Sequence, residues 1–400
     1  MLLKNLTQLS DLDLDSVNIS STIPLNFSSY LTSLWLRCTK LRGVLSERVF
    51  HLSNLEILHL SDNSLTGPIP SNLSGFQNLY YLYLSSNNLN GTIPSWIFSL
   101  PSLFALDLSN NSFSGKIQEL NNTLVQFLIL SQNNLRGQIA STICNLKTLR
   151  LLHLGSNHLN RTIPQCLDGM SMLQVLGLND NRLSGTINAN FNSENKLIII
   201  NLYGNKLKGK VAPSLINCRY LEFLDLGNNE LNGTFQWKFT SEPFREFSSH
   251  EIIGENSGIR KYVADVYSDF YPNALIVTAK GLELELELPQ VLTTYMIIDL
   301  SRNRFEGIIP ASLQHLSVLE LLELSSNKIG GEIPQQLASL TFLAVLNLSH
   351  NHLLGCIPKG NSLIRLRTIH TKGMMGYVDC HSQKIVVAMM GYCKQQLQLS

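Results

Sequence analysis

The sequence has few charged residues, no excess of either sign and no long apolar run. Charged residues make up 15% of the 400 residues, and 30 Lys and Arg offset 29 Asp and Glu to leave a formal charge of +1. So small a net charge excludes a bulk attraction to nucleic acid or to an anionic membrane. No run of about 18 apolar residues occurs, so we expect no membrane-spanning helix. The first residues also lack the apolar segment of a signal peptide.

Cysteine is scarce and follows no metal-binding pattern. The seven cysteines include no CxxC pair, so they predict neither a zinc site nor a disulfide framework. Cys144 and Cys166 fall on successive segments of the repeat described below and could pair. Two buried thiols are the favoured expectation for them.

Motifs for catalysis are missing as well. The sequence contains no GxSxG, P-loop or GxGxxG, and the HExxH-like run that begins at His250 ends at Gly254 instead of a second histidine. His59 and His153 share one position of the repeat, roughly 19 Å apart at about 4.8 Å per unit, which is too far to bind one metal. We therefore expect a protein that is not an enzyme and that holds no metal or cofactor.

What the sequence does contain is a repeat. Leucine occupies 74 positions, and an asparagine follows two alternating leucines at positions 63, 87, 111, 133, 157, 181, 205 and 229, and again at 303, 327 and 351. Two weaker units, with Val17 and Thr39 at the asparagine position, bring the total to thirteen. A period of 22 to 24 residues is typical of a solenoid, in which each unit buries its apolar face against the next.

Each position of the repeat has a physical role, which the unit at 79–94 shows. Leu82 and Leu84 alternate along a short strand with one buried face. Asn87 can bond backbone groups of the following turn, and Gly91 permits a tight turn. Strands stacked about 4.8 Å apart would form a curved parallel sheet of about 13 short strands, roughly 60 Å long, with a concave side open to a partner.

The consensus LxxLxLSxNxLxGxIP resembles the plant-specific class of extracellular leucine-rich repeats over 1–358, apart from one insertion. The resemblance implies an α/β-type leucine-rich-repeat solenoid, with turns and short 3-10, helical and extended segments on its convex side. Segments 280–301, 311–319, 331–340 and 347–359 more narrowly resemble the tomato Cf class of disease-resistance receptor-like proteins. That class detects fungal proteins outside the cell, and it implies signalling through a partner receptor kinase.

The interruption of the repeat divides the chain. We predict repeats 1–10 over 1–235, an island over 236–280, repeats 11–13 over 281–358 and a degenerate tail over 359–400. The island is either a loop-rich linker or a folded segment that contacts a ligand or partner. A one-nucleotide shift of the back-translated tail can give a sequence like the C-terminal cap of the family, which leads to the hypothesis of a frameshifted tail.

Side chains that point outward from the predicted strands are the candidate ligand-binding residues. Large aromatic residues and arginine are the usual anchors of interfaces, so we place a protein or peptide ligand on repeats 2 to 9, although most outward residues would be plain solvated surface. Tyr81 stands in a mostly apolar column and is expected to be half buried. The predicted set is Trp35, Arg37, His59, Tyr81, Tyr83, Asp107, Ile129, His153, Asn201 and Tyr203.

Ten N-x-Ser/Thr sequons agree with a secreted ancestry, and two of them, at Asn110 and Asn347, fall on the predicted concave side. The predicted glycosylation sites are Asn5, Asn18, Asn26, Asn72, Asn90, Asn110, Asn121, Asn160, Asn232 and Asn347.

The leading hypothesis is the ligand-binding ectodomain portion of a plant cell-surface receptor-like protein. The resemblance implies a place on the extracellular face of the plasma membrane, a pathogen-derived ligand and a role in defence. A truncated, non-functional copy of such a receptor remains open. Two further alternatives are a secreted inhibitor of microbial cell-wall-degrading enzymes and a developmental receptor for an endogenous peptide.

Overall fold

The computed structural model describes residues 8–23, 27–71, 75–187, 194–234, 275–279, 282–286, 296–355, 357–358 and 368–370. The chain divides into two compact units at Leu231 and Asn232. We call the described residues up to Leu231 the N-terminal block and those of 296–370 the C-terminal block. Most of the predicted island and tail lies outside the described residues, so the three predicted boundaries stay predictions.

Ten short parallel strands form the first sheet of the N-terminal block, in chain order across the sheet. Neighbouring strands pair in register, as Leu34 does with Leu58. The strands are β1 (Asp11–Asp13), β2 (Ser33–Trp35), β4 (Ile57–His59), β6 (Tyr81–Tyr83), β8 (Ala105–Asp107), β10 (Phe127–Ile129), β12 (Leu151–His153), β14 (Val175–Gly177), β16 (Ile199–Asn201) and β18 (Phe223–Asp225).

The chain turns after each of these strands except β1 and enters a strand of a second parallel sheet. Its strands are β3 (Arg42–Val44), β5 (Ser64–Pro68), β7 (Asn88–Thr92), β9 (Ser112–Gly115), β11 (Asn134–Gly137), β13 (His158–Arg161), β15 (Arg182–Gly185), β17 (Lys206–Lys210) and β19 (Glu230–Thr234). Short 3-10 helices complete the coils at Glu47–His51, Ser95–Ser99, Ser141–Asn145, Gln165–Gly169 and Pro213–Asn217.

The C-terminal block repeats this arrangement. One set of parallel strands is β22 (Met296–Asp299), β24 (Leu319–Glu323), β26 (Val345–Asn347) and β28 (Thr368–His370), and the other is β23 (Arg304–Ile308), β25 (Lys328–Glu332) and β27 (His352–Leu354). Its 3-10 helices are Ala311–His315 and Gln335–Ser339, and an antiparallel pair joins β20 (Leu275–Ala279) to β21 (Leu282–Leu286). Strand β28 pairs with β26, so the predicted tail contributes a strand that the repeat pattern does not predict.

Both blocks are solenoids, as the repeat predicts, because the alternating leucines point inward. Leu58 and Leu82 are fully buried between the sheets, and so are Leu322 and Leu346 in the C-terminal block. Burying a leucine contributes about 1.5–3 kcal/mol, and no single strand can achieve that burial alone. The stack is therefore the smallest stable unit.

The recurring asparagines form a buried ladder that ties each turn to its neighbours. The amide of Asn157 donates to the carbonyl oxygens of Leu130, Leu154 and Gly155 at 2.9–3.1 Å. Its Oδ1 accepts the backbone N–H of Leu135 at 3.0 Å. One side chain thus satisfies four backbone groups that the sharp turn leaves without partners.

The expectation of two buried thiols at Cys144 and Cys166 is wrong. The two residues form a disulfide with a Cα–Cα distance of 5.6 Å, and both are half buried. They occupy successive 3-10 helices, and stacked coils bring equivalent positions within the range of a disulfide. Of the other described cysteines, Cys38 is exposed and Cys218 is buried, and both are free.

Candidate ligand-binding face

The outer face of the first sheet in the N-terminal block carries the candidate site. Each strand places its two end residues outward and its central residue inward, which is leucine in every strand but β16, because side chains alternate along a strand. In β6, Tyr81 and Tyr83 point outward while Leu82 is fully buried. Equivalent outward positions on neighbouring strands are about 4.8 Å apart, which lets side chains from successive repeats touch.

A row of aromatic rings, here called the aromatic track, begins on three neighbouring strands of this face. The ring centroids of Trp35 and His59 lie 5.0 Å apart, and those of His59 and Tyr83 lie 5.1 Å apart, in both cases edge to face. The Tyr83 ring then lies 5.6 Å from the Tyr81 ring. Such pairs contribute about 0.5–1.5 kcal/mol beyond their buried area, so the track is rigid before any partner arrives.

The track continues through residues that precede the strands. Tyr80 stacks on Phe104 with centroids 4.7 Å apart and planes only 10° apart, and Phe104 lies 5.4 Å from Phe127. Tyr80 is 39% exposed, and Trp35 is half exposed. The complete track is Trp35, His59, Tyr83, Tyr81, Tyr80, Phe104 and Phe127.

An ion pair lies beside the first end of the track. Nε of Arg37 donates to Oδ2 of Asp62 at 2.8 Å, and Oδ1 of Asp15 accepts the backbone N–H of Arg37 at 2.6 Å. The hydrogen bond with Asp62 is the main cause that raises the pKa of the guanidinium, and burial raises the pKa of Asp15. A pair this exposed contributes less than about 1 kcal/mol, so it orients Arg37 more than it stabilises the fold.

His59 is the polar member within the track. Burial lowers the pKa of its imidazole to about 4, with a further contribution from the positive charge of Arg37. The ring is therefore neutral near pH 7, and its Nδ1 has no hydrogen-bond partner among the described residues. Neutral imidazole offers one donor and one acceptor, so His59 adds a hydrogen-bonding atom to an otherwise aromatic row.

The expectation that the outward column is solvated is wrong for Tyr83, Asp107, Ile129 and Asn201, and His59 is buried with them. Tyr83 is covered by neighbouring rings, and Ile129 lies between Asp107 and His153 on the adjacent strands. Close strand spacing leaves a short side chain little access to water.

The polar residues among them turn back onto their own backbone. Oδ1 of Asp107 accepts the backbone N–H of Ser109 at 2.9 Å, and Oδ1 of Asn201 accepts that of Tyr203 at 3.2 Å. Burial raises the pKa of Asp107 to about 6, against the hydrogen bonds from Ser109 that lower it. Both side chains are used in hydrogen bonds within their own turns, so we do not include them in the candidate site.

The remaining predicted residues lie on later strands. His153 is half buried, its pKa is lowered to about 4 by burial, and its ring covers Gly177, whose ideal Cβ would lie 2.5 Å from Cδ2 of His153. Tyr203 is half buried, as is Tyr81, which agrees with the expectation for Tyr81. Ring contacts and charge thus group Trp35, Arg37, His59, Tyr81 and Tyr83. The other five continue along later strands of the same sheet, with Asp107 directly beside Tyr83.

Sequence reasoning missed Tyr80, Phe104 and Phe127. Tyr80 and Phe104 immediately precede a strand, and Phe127 occupies the mostly apolar first position of a strand. The candidate residues were taken mainly from the last position of each strand and from the second residue after it. A search for aromatic residues that also covered the residue before each strand and the first residue of each strand would have found Tyr80, Phe104 and Phe127.

Neither a metal centre nor a membrane span emerges from the part of the chain that the structure describes. No group of three or more His, Cys, Asp or Glu residues there could hold a metal ion. No described helix is both long and apolar enough to cross a bilayer.

Comparison with known proteins identifies the type of repeat. The family pattern described as Leucine rich repeat matches residues 29–89, 53–113 and 294–353, and a second pattern of that name matches 124–146. A stretch of 63 residues is 78% identical to "Receptor-like protein Cf-9 homolog" of Solanum lycopersicum and 71% identical to "Receptor-like protein Cf-9" of Solanum pimpinellifolium. These are leucine-rich repeats, and the chain resembles the Cf class of plant receptor-like proteins.

The coverage of these matches differs. The 63 residues make up 16% of this chain and only 8% and 7% of the two relatives. Among solved structures, the Arabidopsis receptor kinase HAESA in complex with the peptide hormone IDA and the co-receptor SERK1 superposes with a TM-score of 0.68 at 26% identity. That match covers 92% of this chain and 58% of HAESA. The leucine-rich-repeat fold is therefore shared with plant receptor ectodomains.

The predicted sequons occupy different environments in the leucine-rich repeats. Asn18, Asn90, Asn110, Asn121, Asn160 and Asn232 are exposed, whereas Asn347 is 3% exposed and its Oδ1 accepts the backbone N–H of Ser349 at 3.1 Å. This burial argues against a glycan at Asn347. Asn5, Asn26 and Asn72 lie outside the described residues, and glycosylation of the exposed sites stays a prediction.

Proposed function

We propose that the chain is the ligand-recognising portion of a plant cell-surface receptor-like protein that detects a pathogen-derived protein or peptide. It would act on the extracellular side of the plasma membrane and signal through a partner leucine-rich-repeat receptor kinase. Its role would be binding and not catalysis. Truncation of the receptor, as well as the inhibitor and developmental alternatives, would show as outcomes of the test below.

The aromatic track is the observation that carries this proposal. Interfaces depend on a few large aromatic and arginine side chains that are held in place before binding. Four rings of the track are at least partly exposed, namely Trp35, Tyr80, Tyr81 and Phe104. Arg37 follows Trp35 by two positions, with 42% of its side chain exposed. The relative named Cf-9 and the ectodomain bound to a peptide hormone support the same reading by similarity.

The test is a response assay in leaves. The chain, given a secretion leader and a membrane anchor, would be expressed in leaf tissue that is then infiltrated with extracellular fluid from fungus-infected leaves. We expect cell death with the parent and its loss with the double variant Trp35→Ala/Tyr80→Ala. Tyr30→Ala is the matched control, since Tyr30 is 55% exposed and lies outside the track.

Three results would count against the proposal. They are no response from the parent to any fungal fluid, an undiminished response from the double variant, and an equal loss with Tyr30→Ala. Inhibition of a microbial polygalacturonase without any leaf response would instead favour the secreted inhibitor. A response to plant extracts from uninfected leaves would favour a developmental receptor.

A further inference from the structure

A group of cations lies on one face of the second sheet in the N-terminal block, well away from the aromatic track in the repeat. We call it the basic face. Its residues come from strands β9 to β17 and from the position just after β9, and all seven are exposed. They are Lys116, Arg136, Arg161, Arg182, Lys206, Lys208 and Lys210.

Cations outnumber acids on and around the basic face. Strands β9, β11, β13, β15 and β17 contain no Asp or Glu, and none of the seven cations makes an ion pair with a described residue. Three acids flank the face, namely Glu119 after β9, Asp180 before β15, and Glu230 at the start of β19 beside β17. For a chain with a formal charge of only +1, this is a marked local concentration.

The cations form a row along the stacked strands and do not converge on one point. In the ladder Arg136 stands opposite His158, Arg182 opposite Asn160 and Lys206 opposite Ser184. Neighbouring strands are about 4.8 Å apart, well within the screening length of about 8 Å at physiological salt. The charges therefore act together on a partner that runs along the row.

Arg161 breaks the repeat at this face. Eleven other units place glycine at its position, each with positive φ, and Arg161 adopts φ of 72° there. A side chain in this region strains the backbone. No described contact compensates for that strain. A residue that breaks the local rule without a structural gain points to a use of its charge.

The surface between the cations is small and polar. It consists of residues such as Ser114, Ser184, Gly137, Gly185 and Gly209, and the leucines of these strands are buried. Protein interfaces need an apolar or aromatic centre, and single-stranded nucleic acid is bound by stacking on aromatic rings. The basic face offers neither.

We propose that the basic face binds a linear acidic polysaccharide whose carboxylates pair with the cations of successive repeats. The choice of a uronic-acid polymer over other polyanions rests on the extracellular location in the proposed function. Recognition itself follows from the row of charges. Asn160 lies within the face and is a sequon, so a glycan there would obstruct the polymer, and the binding experiment uses Asn160→Gln protein as its parent.

The experiment measures binding of de-esterified polygalacturonate to the purified chain at low and high salt. Fully methyl-esterified polymer is the probe without charge. We expect binding that weakens with salt and no binding of the esterified polymer. Arg136→Ser/Arg182→Ser/Lys208→Ser should lower the affinity by about tenfold, because it removes three exposed charge contacts. Arg48→Ser/Lys147→Ser/Lys328→Ser removes the same charge from exposed positions elsewhere and should leave the affinity unchanged.

Arg161→Gly separates binding from folding. It restores the glycine of the other repeats, so we expect a higher melting temperature together with weaker polymer binding. Equal binding of the esterified polymer, parent-like affinity of the triple variant, or duplex DNA bound as tightly as polygalacturonate would each overturn the proposal. The track variant Trp35→Ala/Tyr80→Ala should bind polymer normally, so failure here and failure of the ligand response are distinguishable.

Discussion

The two blocks place different chemistry on the same position of the repeat. In the N-terminal block the second outward position holds Trp35, His59 and Tyr83 on neighbouring strands. In the C-terminal block it holds Asp299 and Glu323, which face each other across β22 and β24. The leucines beneath are buried in both. The repeat thus fixes the backbone and the core while leaving the outward residue free to differ.

The difference has electrostatic consequences. Asp299 and Glu323 are each 1% exposed, and burial raises the pKa of Asp299 to about 7. The backbone N–H of Ser301 opposes this rise, and the charge of Glu323 adds to it. In the N-terminal block burial lowers the pKa of His59 to about 4 instead. Burial favours the neutral form of both side chains, so acidification favours the buried Asp299 and disfavours the buried His59.

Breaking the asparagine ladder should have the largest effect and should be the same in both blocks. Asn157→Ala and Asn351→Ala each remove four hydrogen bonds to backbone groups. Unsatisfied buried groups cost about 1–3 kcal/mol each, so after partial repair by water we expect a loss of about 4 kcal/mol. Urea unfolding measures it. The exposed Asn134→Ala is the control, and an effect in only one block would contradict the shared frame.

The disulfide should make the next largest difference. It closes a loop of 22 residues, which corresponds to about 3 kcal/mol in the chain-entropy account. Cys144→Ser/Cys166→Ser should therefore speed hydrogen exchange in β11 and β13 while leaving β23 and β25 of the C-terminal block unchanged. Cys38→Ser, at an exposed free thiol, is the matched control. Equal hydrogen-exchange rates in the parent and the double variant would mean that the disulfide does not stabilise the N-terminal block.

The titrations of the two blocks sharpen the comparison further. Because the folded pKa of Asp299 is raised, the folded state binds a proton that the unfolded chain releases above about pH 4. Its contribution is present below pH 4 and is lost as the pH rises through about 7. For His59 the folded pKa is depressed, so stability is present above about 6.5 and is lost as the pH falls through about 4.

We expect each titration to change stability by on the order of 2 kcal/mol. Asp299→Asn should reduce the loss of unfolding free energy as the pH rises toward neutral. His59→Phe should reduce the loss of unfolding free energy as the pH falls. Asp107, whose pKa is raised to about 6, opposes the histidine, so each variant is compared with the parent at every pH. Urea midpoints between about pH 4 and pH 8 measure both effects. Parallel curves for a variant and its parent would contradict the assigned group.

The smallest expected effect comes from substitutions at the glycine position of the repeat, one in each block. Arg161 and Gly331 share a φ of 72°. Arg161→Gly should stabilise the N-terminal block by about 1 kcal/mol, and Gly331→Ala should destabilise the C-terminal block by at least as much, because positive φ disfavours a side chain. The added Cβ would also lie 2.7 Å from Cγ2 of Ile308. Thermal unfolding checks both signs, and an opposite sign for Arg161→Gly would mean that its side chain makes a stabilising contact.

Much of the fold follows from local pattern. The buried leucines such as Leu82, the ladder asparagines such as Asn157 and the turn glycines such as Gly91 were all placed correctly from their spacing. Each depends on a period of one repeat, and stacking places like residues over like. The candidate site was predicted from the sequence less completely than the fold. The sequence supplied Trp35 and Tyr83 but not Tyr80 or Phe104.

The sequence by itself determined the period of the repeat, its inward leucines and most of its outward positions. The tertiary structure decided which outward residues stay in contact with water, which rings meet in the aromatic track, and that Cys144 pairs with Cys166. It also brought the cations of five strands into one basic face. These outcomes depend on distances across the stack, where strands about 4.8 Å apart come from residues more than twenty positions away in the chain. Spacing along the sequence fixes which strands are neighbours, whereas burial and contact follow only from how their side chains pack.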